Sequence, residues 1–448
     1  MYKANGLLSK ANPSGEAMEN THVVEITDYS HCGEGVGRIE GQVVFVPMAV
    51  RGELARVQVV AKKKNYLRGQ LLEVLKPSSA RVKPFCPLFA DCGGCHLQHI
   101  TYAEQLFFKE HRVKTALQRL GGIREIEVKP TLGMKDPWHY RHTARFHVGK
   151  SQGKVCVGFF RSKSHDPVPV TGCRILPPEF PPLLEHLSRL PVIHNGAVKE
   201  VVLRKSQATG EILVVFLAEK PFSFDKKGID RLLKDFPTVT GIVAQVTGAK
   251  PAVIWGQGFY TEELAGLKFQ IPATSFFQSN PLQAEVLISL VRSYATPCAD
   301  EVIFDLYSGV GVFALAIARN CAGVYALEED EEAVLSGKAN ARLNNINNIT
   351  FVADRAENAL PEFKKRGVSP QTIILDPPRA GSSPEVLKVI YELEPKKVVY
   401  ISCNPATLAR DLTLLVEKGY QPELVQPVDM FPQTYHIECV VLLKKSKP

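Results

Sequence analysis

From Val23 to Val74 short β-rich runs alternate with glycine: Val23–Ile26, Gln42–Pro47, Ala55–Val60 and Gln70–Val74, punctuated by Gly33, Gly35, Gly37, Gly41 and Gly52. Short strands with turn residues at this spacing predict a small, five-stranded, OB-like β-barrel over residues 21–78. Residues 1–20 read as a loose polar arm. Pro77 to His99 is rich in proline and cysteine and reads as a loop. Apolar Leu106, Val113, Leu117 and Leu120 then recur at helical spacing and stop at Gly121-Gly122, which predicts a helix over 102–120. Segments such as Glu200–Arg204 and Glu211–Phe216 mark 79–270 as a central α+β domain, and the helix at 102–120 is expected to pack on the domain that follows. From Glu301 the rhythm changes to buried-looking strands alternating with helical stretches: Val302–Leu306, Val324–Glu328, Ile349–Ala353, Thr372–Asp376 and Lys397–Ser402. Strand–helix alternation means βαβ units and a parallel sheet, so the fold class is α/β with a Rossmann-like domain over 271–448.

In such a sheet ligands gather at the carboxyl ends of the strands, and the strand ends here carry chemistry. The first runs into Asp305-Leu306-Tyr307-Ser308-Gly309-Val310-Gly311, where the glycines let the backbone turn tightly beside a ligand. The second ends at Glu328, placed to bind ribose hydroxyls; the third at Asp354, within reach of an adenine amino group; the fourth at Asp376-Pro377-Pro378-Arg379. One acid alone reads as a helix cap, but acids at consecutive strand ends point to a cofactor site. The third glycine of a pyrophosphate fingerprint is missing, which disfavours NAD. The fifth strand delivers Ser402-Cys403-Asn404-Pro405 to the same rim. A lone cysteine is more often inert and buried, but the rim position and polar neighbours favour a nucleophile. A late His436-Ile437-Glu438 offers a carboxylate as general base.

Composition narrows the class. Hydrophobic residues make up 45% and charged residues 22%, as in a globular protein, and no apolar run is long enough to span a bilayer. With no apolar leader at the start, a cytoplasmic location is expected. Net charge is +8, and between Arg51 and Lys83 nine bases (Arg51, Arg56, Lys62, Lys63, Lys64, Arg68, Lys76, Arg81, Lys83) face only Glu53 and Glu73. Such a stripe suits a phosphate backbone, although Lys62-Lys63-Lys64 alone reads equally well as a solvated turn. His139-Tyr140-Arg141-His142, with Arg145 and His147, reads either as a second RNA contact or as one alternating strand with Tyr140, His142 and Ala144 on one face. Phe276, Phe277 and Tyr307 are candidate stacking surfaces for a base, and one of the two phenylalanines is expected to serve only the core.

Phe277-Gln278-Ser279-Asn280, the Asp305–Gly311 turn, Asp376-Pro377-Pro378-Arg379, Ser402-Cys403-Asn404-Pro405 and His436-Ile437-Glu438 together resemble the bacterial RNA uracil-5-methyltransferases, in particular their iron–sulfur 23S rRNA branch. The resemblance covers nearly the whole chain. It implies a class I S-adenosylmethionine-dependent methyltransferase domain and an N-terminal TRAM barrel. It also implies a nucleophilic Cys403 that adds to carbon 6 of uracil and a basic Glu438, with Gln278, Tyr307, Gly309, Glu328, Asp354 and Asp376 around the cofactor and base. The expected partner is RNA, 23S rRNA before tRNA, with no DNA and no membrane, and the chain is expected to be a monomer. Val312 and His142-Thr143 depart from the family pattern. An adenine-N6 methyltransferase is disfavoured by Arg379 where an aromatic residue would stack, and a cytosine-5 enzyme by the absence of a cysteine after the fourth-strand prolines. A non-catalytic iron–sulfur RNA-binding protein is the reading from another class, and the presence of Cys403 and Glu438 speaks against it.

Ten cysteines in such a chain argue for metal or catalysis rather than a disulfide framework. Cys86, Cys92 and Cys95 have the spacing C-x5-C-x2-C around Gly93-Gly94, and Cys173 lies far downstream. Three close thiolates and one distal suit zinc or an iron–sulfur cluster alike. The resemblance implies a [4Fe-4S] cluster on these four, with a structural or RNA-positioning role, and His96 and His99 as loop residues.

Overall fold

The computed structural model describes residues 20–151 and 153–446, so the arm expected over 1–20 lies, all but Asn20, outside the described residues. The first strands are β1 (Thr21–Glu25), β2 (Asp28–Tyr29), β3 (Gly35–Ile39), β4 (Gln42–Val46), β5 (Leu54–Lys62) and β6 (Tyr66–Lys76). They form one sheet in the order β1-β5-β6-β4-β3-β2, curled around Val24, Ile26, Val44, Val46, Ala55 and Val57, each at most 1% exposed. The barrel thus has six strands rather than five. The segments named from the sequence omit β2 and β3, and β3 is hidden because Gly35 and Gly37 read as turn residues. They are inside a strand because nothing larger fits: a Cβ on Gly37 would sit 2.4 Å from Val24 and 2.6 Å from the Glu25 carbonyl oxygen.

The basic stripe is partly neutralised. Arg51 pairs with Glu104, Arg56 with Glu73, Arg68 with Glu34 and Arg81 with Glu53. Lys62, Lys63, Lys64, Lys76 and Lys83 stay exposed, so the free charge of this stripe is carried by lysines.

Helix α1 (Tyr102–Arg119) starts where the Thr101 hydroxyl accepts from the Glu104 N–H. The central domain follows with β7 (Thr143–Ser151), β8 (Lys154–Phe160), β9 (Pro167–Pro169), α2 (Phe180–Ser188), α3 (Pro191–His194), β10 (Val198–Lys205), β11 (Ile212–Ala218), α4 (Lys226–Asp235), β12 (Val239–Val246) and β13 (Ala252–Gly256). Its sheet runs β13-β12-β11-β10-β7-β8-β9. Strand alternation divides the sheet cleanly. Phe146, Val201, Leu203, Val214 and Phe216 enter the core beneath α2, while Thr143, Arg145, Val202, Arg204, Val215 and Leu217 line the opposite side.

A hairpin, β14 (Phe259–Leu264) and β15 (Leu267–Pro272), leads into the last domain. There α5 (Pro281–Ala295), β16 (Val302–Leu306), α6 (Val312–Ala318), β17 (Gly323–Glu328), α7 (Glu331–Leu343), β18 (Ile349–Ala353), α8 (Ala356–Lys365), β19 (Thr372–Leu375), α9 (Pro384–Leu393), β20 (Lys397–Ser402), α10 (Pro405–Val416), β21 (Tyr420–Val428) and β22 (Glu438–Lys445) build a sheet ordered β18-β17-β16-β19-β20-β22-β21. The first five pair in parallel, and β22 runs antiparallel to both β20 and β21. Strand order reverses between β16 and β19, which opens a crevice at their carboxyl ends. Among the described residues no helix is long and apolar enough to cross a membrane.

Helix α1 packs Val113 and Leu117 into the core shared by α10 and β21. One polar contact crosses this interface fully buried: the Lys109 ammonium donates to the Asp429 carboxylate, and both side chains are 0% exposed. Removing one partner of a buried pair strands the other charge, at a cost of about 3–5 kcal/mol. Lys109→Met is therefore expected to lower the urea unfolding midpoint by a margin of that size, and a midpoint equal to wild type would show that the pair does not hold the domains together.

Candidate active site

The local backbone explains why functional side chains cluster at the crevice. Tyr307, Gly309 and Gly311 all adopt the left-handed conformation, at φ of 62°, 52° and 87°. At Gly311 glycine is required twice over, since a Cβ would also lie 2.6 Å from Leu315 and 3.0 Å from Phe351. The turn is braced from beneath by Asp305, whose carboxylate accepts from the Ala314 N–H at 2.8 Å. Burial, with some help from Asp376 and Glu328, pushes the Asp305 carboxyl up to about 8. Glu328 receives the Gly309 N–H at 2.9 Å on one oxygen and the Asp330 N–H at 3.0 Å on the other, so both oxygens have fixed positions. Asp354 accepts from the Arg355 N–H and the Asn358 amide on the same oxygen, Oδ1.

A cavity of about 1090 Å³ opens above this rim. Gln278, Tyr307, Gly309, Glu328, Asp354, Asp376, Cys403 and Glu438 all line it, so the candidate catalytic and cofactor residues of the sequence meet at one place. Topology explains the meeting of Cys403 and Glu438. Cys403 follows the carboxyl end of β20, while β22 runs the other way and begins beside it, with Ser402 opposite Cys439 in the register.

The chemistry of this corner is set by burial. Desolvation, then the neighbouring Glu438, raises the Cys403 thiol to about 11, and the Arg379 guanidinium works in the opposite direction. Burial pushes Asp376 up to about 7. Burial also drives Glu438 well above the carboxylate range, with Asp376 adding to the effect and Arg379 opposing it. Arg379 is therefore the cation both groups depend on. It is oriented by its Nη2 donating to His436 Nδ1 at 2.8 Å, and its carbonyl accepts from the Asn404 amide at 3.1 Å. His436 can accept because burial, then Arg379, lowers it to about 3 and leaves it neutral. Asn404 also caps α10 through the Ala406 N–H, so it joins the cysteine turn to the Arg379 loop.

The two phenylalanines divide as expected: Phe277 is 4% exposed among Tyr260 and Phe269, whereas Phe276 is 75% exposed at the cavity. Asn280 is not a surface contact. It is fully buried, caps α5 and donates to the Met430 carbonyl. Of the 139–147 stretch, Tyr140, His142 and Ala144 are buried, but the strand begins only at Thr143, so the single alternating strand does not reach back to Tyr140 and His142, and Thr143 and Arg145 line the cavity. The departure at His142 is structural: its N–H donates to the Ser279 carbonyl at 2.7 Å, and burial keeps its ring neutral, lowered to about 4. Val312 packs against the core. Arg204, which shares the cavity wall with Arg145, escapes strand-end reasoning, since both come from the central sheet.

Cys86, Cys92, Cys95 and Cys173 come near one another, for the charges of Cys92 and Cys86 act on both Cys95 and Cys173. Burial pushes Cys95 up to about 12 and Cys173 up to about 11. The loop is tied to β8 by the Gly93 N–H on the Phe160 carbonyl. Among the described residues, however, no group of three or more His, Cys, Asp or Glu side chains is arranged to hold a metal ion. The thiols are neighbours without forming a closed ligand set. His99 is buried against Phe89 and His96 lies over Tyr435, consistent with loop roles.

Comparison with known proteins places this geometry. An RNA methyltransferase of Bacillus cereus, itself uncharacterized, is 38% identical over 456 residues, covering 98% of this chain and 99% of that one. Another from Clostridium tetani is 37% identical over 443 residues, covering 95% and 96%. The crystal structure of the Pyrococcus abyssi tRNA (uracil-54, C5)-methyltransferase in complex with S-adenosyl-L-homocysteine superposes with a TM-score of 0.74 at 26% identity, over 95% of this chain and 100% of that one. Residues 20–72 match the TRAM domain, and residues 101–446 match the model of the tRNA (uracil-5-)-methyltransferases. With three quarters of its length inside that match, the chain belongs to the tRNA (uracil-5-)-methyltransferase family and carries a TRAM domain at its head.

Proposed function

We propose that the protein transfers a methyl group from S-adenosylmethionine to carbon 5 of a specific uridine in RNA, through a covalent bond between Cys403 and carbon 6 of the base. The observation that carries this reading is the meeting of Cys403, Glu438, Asp376 and Arg379 in one cavity beside Glu328 and Asp354. The cofactor fits the residues present. A cavity whose buried carboxyl groups, Asp376 and Glu438, are held above their usual range gains from a bound cation. S-adenosylmethionine supplies an electrophilic methyl group on a positively charged sulfur. Glu328 would take the ribose hydroxyls and Asp354 the adenine amino group, with Gln278, Tyr307 and Gly309 around them.

Cys403, as the thiolate, adds to carbon 6; the double bond to carbon 5 opens and its electrons move onto oxygen 4, where a hydrogen bond from protonated Asp376 favours the enolate. The enolate electrons return through carbon 5 to form its bond to the methyl group, whose bond to the donor sulfur breaks with the electron pair left on that sulfur. Glu438, ionised at this step, removes the proton from carbon 5, the double bond reforms, and Cys403 leaves as thiolate. The substrate is read as 23S rRNA from the sequence resemblance, with tRNA as the second reading, favoured by the target of the Pyrococcus abyssi neighbour. A [4Fe-4S] cluster on Cys86, Cys92, Cys95 and Cys173 belongs to the same reading. It rests on the sequence resemblance; Cys92, Cys95 and Cys173 pack against the central core, the four thiols form no closed ligand set among the described residues, and the cluster takes no part in the transfer.

In a strain lacking the gene, mass spectrometry of ribosomal and transfer RNA is expected to show loss of 5-methyluridine at a defined 23S rRNA position. Wild-type protein should restore it and Cys403→Ala should not, while Glu438→Gln should accumulate a protein–RNA adduct stable to denaturation. Loss in tRNA instead would transfer the assignment to the second reading. Restoration by Cys403→Ala would refute the nucleophile.

The raised thiol makes a kinetic prediction. With the Cys403 thiol near 11 in the free enzyme, thiolate is the minor form at neutral pH, and the single-turnover rate should climb between about pH 6 and 9. Arg379→Gln removes the cation that favours thiolate, so the thiol rises further. The rate at pH 7 is then expected to fall by about tenfold and to recover in part at high pH. A deficit that stays the same at every pH would show that Arg379 acts otherwise.

Anaerobically purified protein is expected to be brown, with about four irons per chain. Colourless protein with stoichiometric zinc would overturn the cluster.

A further inference from the structure

Arg204 is 7% exposed on β10, yet its Nε and Nη1 are buried without a hydrogen-bond partner. Among the described residues Tyr260 is the side chain that engages it, and no carboxylate forms an ion pair with it. A guanidinium cannot shed its charge, and burying it unpaired is costly unless an anion arrives. The neighbouring charge that acts on it is Arg145, also positive. In the β7–β10 register Thr143 faces Arg204 and Val202 faces Arg145, so the two arginines are diagonal neighbours on the face that lines the cavity.

The cavity is sorted by charge. Glu328, Glu329, Asp330, Asp354 and Glu357 line one side, around β17 and β18, and suit a cationic cofactor. Arg204 and Arg145 stand on the wall formed by the central sheet. Arg145 is partly engaged at 3.1 Å by Glu200 near the surface, which leaves Arg204 as the deep, uncompensated charge.

We propose that Arg204, assisted by Arg145, binds a backbone phosphate of RNA flanking the uridine whose base enters the cavity. This rests on the cavity being the uridine site. A nucleotide drawn out of its stack brings its own phosphates to the mouth of the pocket, and the guanidinium fork matches two phosphate oxygens. The phosphate supplies the negative charge that the protein leaves out. Arg204 is in this sense a substrate-binding residue that sets how far the strand enters.

The test uses the full chain and a labelled pentaribonucleotide with one central uridine, with affinity read by fluorescence anisotropy. Arg204→Gln is expected to weaken binding by about tenfold and to reduce the salt slope by about one, with S-adenosylmethionine affinity unchanged. Replacing one flanking phosphate with a neutral methylphosphonate should weaken wild type by a similar factor and cost Arg204→Gln nothing further. Loss of cofactor affinity with RNA affinity intact would overturn the proposal and assign Arg204 to the cofactor carboxylate. Should Arg204→Gln fail to fold, the methylphosphonate series on wild type decides, and indifference at both phosphates overturns the site. The two readings fail separately: phosphate coupling without uridine methylation would sink the proposed reaction and leave the phosphate site standing, and methylation without coupling would do the reverse.

Discussion

The buried pair of Lys109 and Asp429 is the fixed point around which the parts of this protein meet. Lys109 also donates to the Phe431 carbonyl at 3.0 Å, and the Tyr102 hydroxyl donates to the second Asp429 oxygen at 2.8 Å. Gln105 and Gln433 exchange two hydrogen bonds, and Gln433 in turn accepts the backbone N–H groups of His96 and Leu97 from the cysteine-rich loop. Tyr140, at the entrance to the central sheet, donates to the Pro432 carbonyl, and Asn280, at the start of α5, donates to Met430. A segment of irregular backbone between β21 and β22 therefore takes hydrogen bonds from α1, the cysteine loop, the central domain and the methyltransferase domain. Buried backbone of this kind persists only when its polar groups are paired, and the same segment ends in His436 and Glu438. The residue read as the general base is thus positioned by contacts that span the chain, which also gives the cysteine loop a physical route to the site without any chemistry of its own.

How much of this is legible in the sequence depends on how local each rule is. The carboxyl ends of parallel strands share a rim by construction, so Glu328, Asp354, Asp376 and Cys403 can be grouped from strand order alone, and all four line one cavity. The barrel is recognisable from its alternation, but β3 is not, because glycine signals a turn as readily as a close approach between strands. Only the packing of Val24 on Gly37 distinguishes the two. The basic stripe looks larger in the sequence than in the fold because Glu104 and Glu34, the partners of Arg51 and Arg68, lie outside the stretch from Arg51 to Lys83.

The least legible features are those that join domains. Nothing in Val201-Val202-Leu203-Arg204 distinguishes a buried arginine from an ordinary exposed one on a strand, since period-two alternation gives a face and not what covers it. Lys109 likewise sits in an amphipathic helix where a lysine is commonplace. Each becomes informative only once burial is known, because a charge in the interior must be paired or await a partner. Lys109 has its partner within the chain. Arg204 does not.

That contrast bears on the catalytic corner as well. Without ligands, Asp376 and Glu438 are held toward their protonated forms and Cys403 toward its thiol, all three chiefly by burial. Arg379, the cation that opposes this at both Cys403 and Glu438, is shared with the neutral His436. Bringing a positive sulfur into the cavity favours the ionised Glu438 and the Cys403 thiolate together, because each interaction is strengthened by the same low dielectric that penalised the lone charges. On the proposed reading, then, the site is least reactive when empty and becomes nucleophilic only when the methyl donor is in place. A thiolate poised beside solvent would be open to oxidation, whereas a thiol held by burial is not, so the raised value at Cys403 protects the nucleophile between turnovers and is reversed by the ligand that needs it.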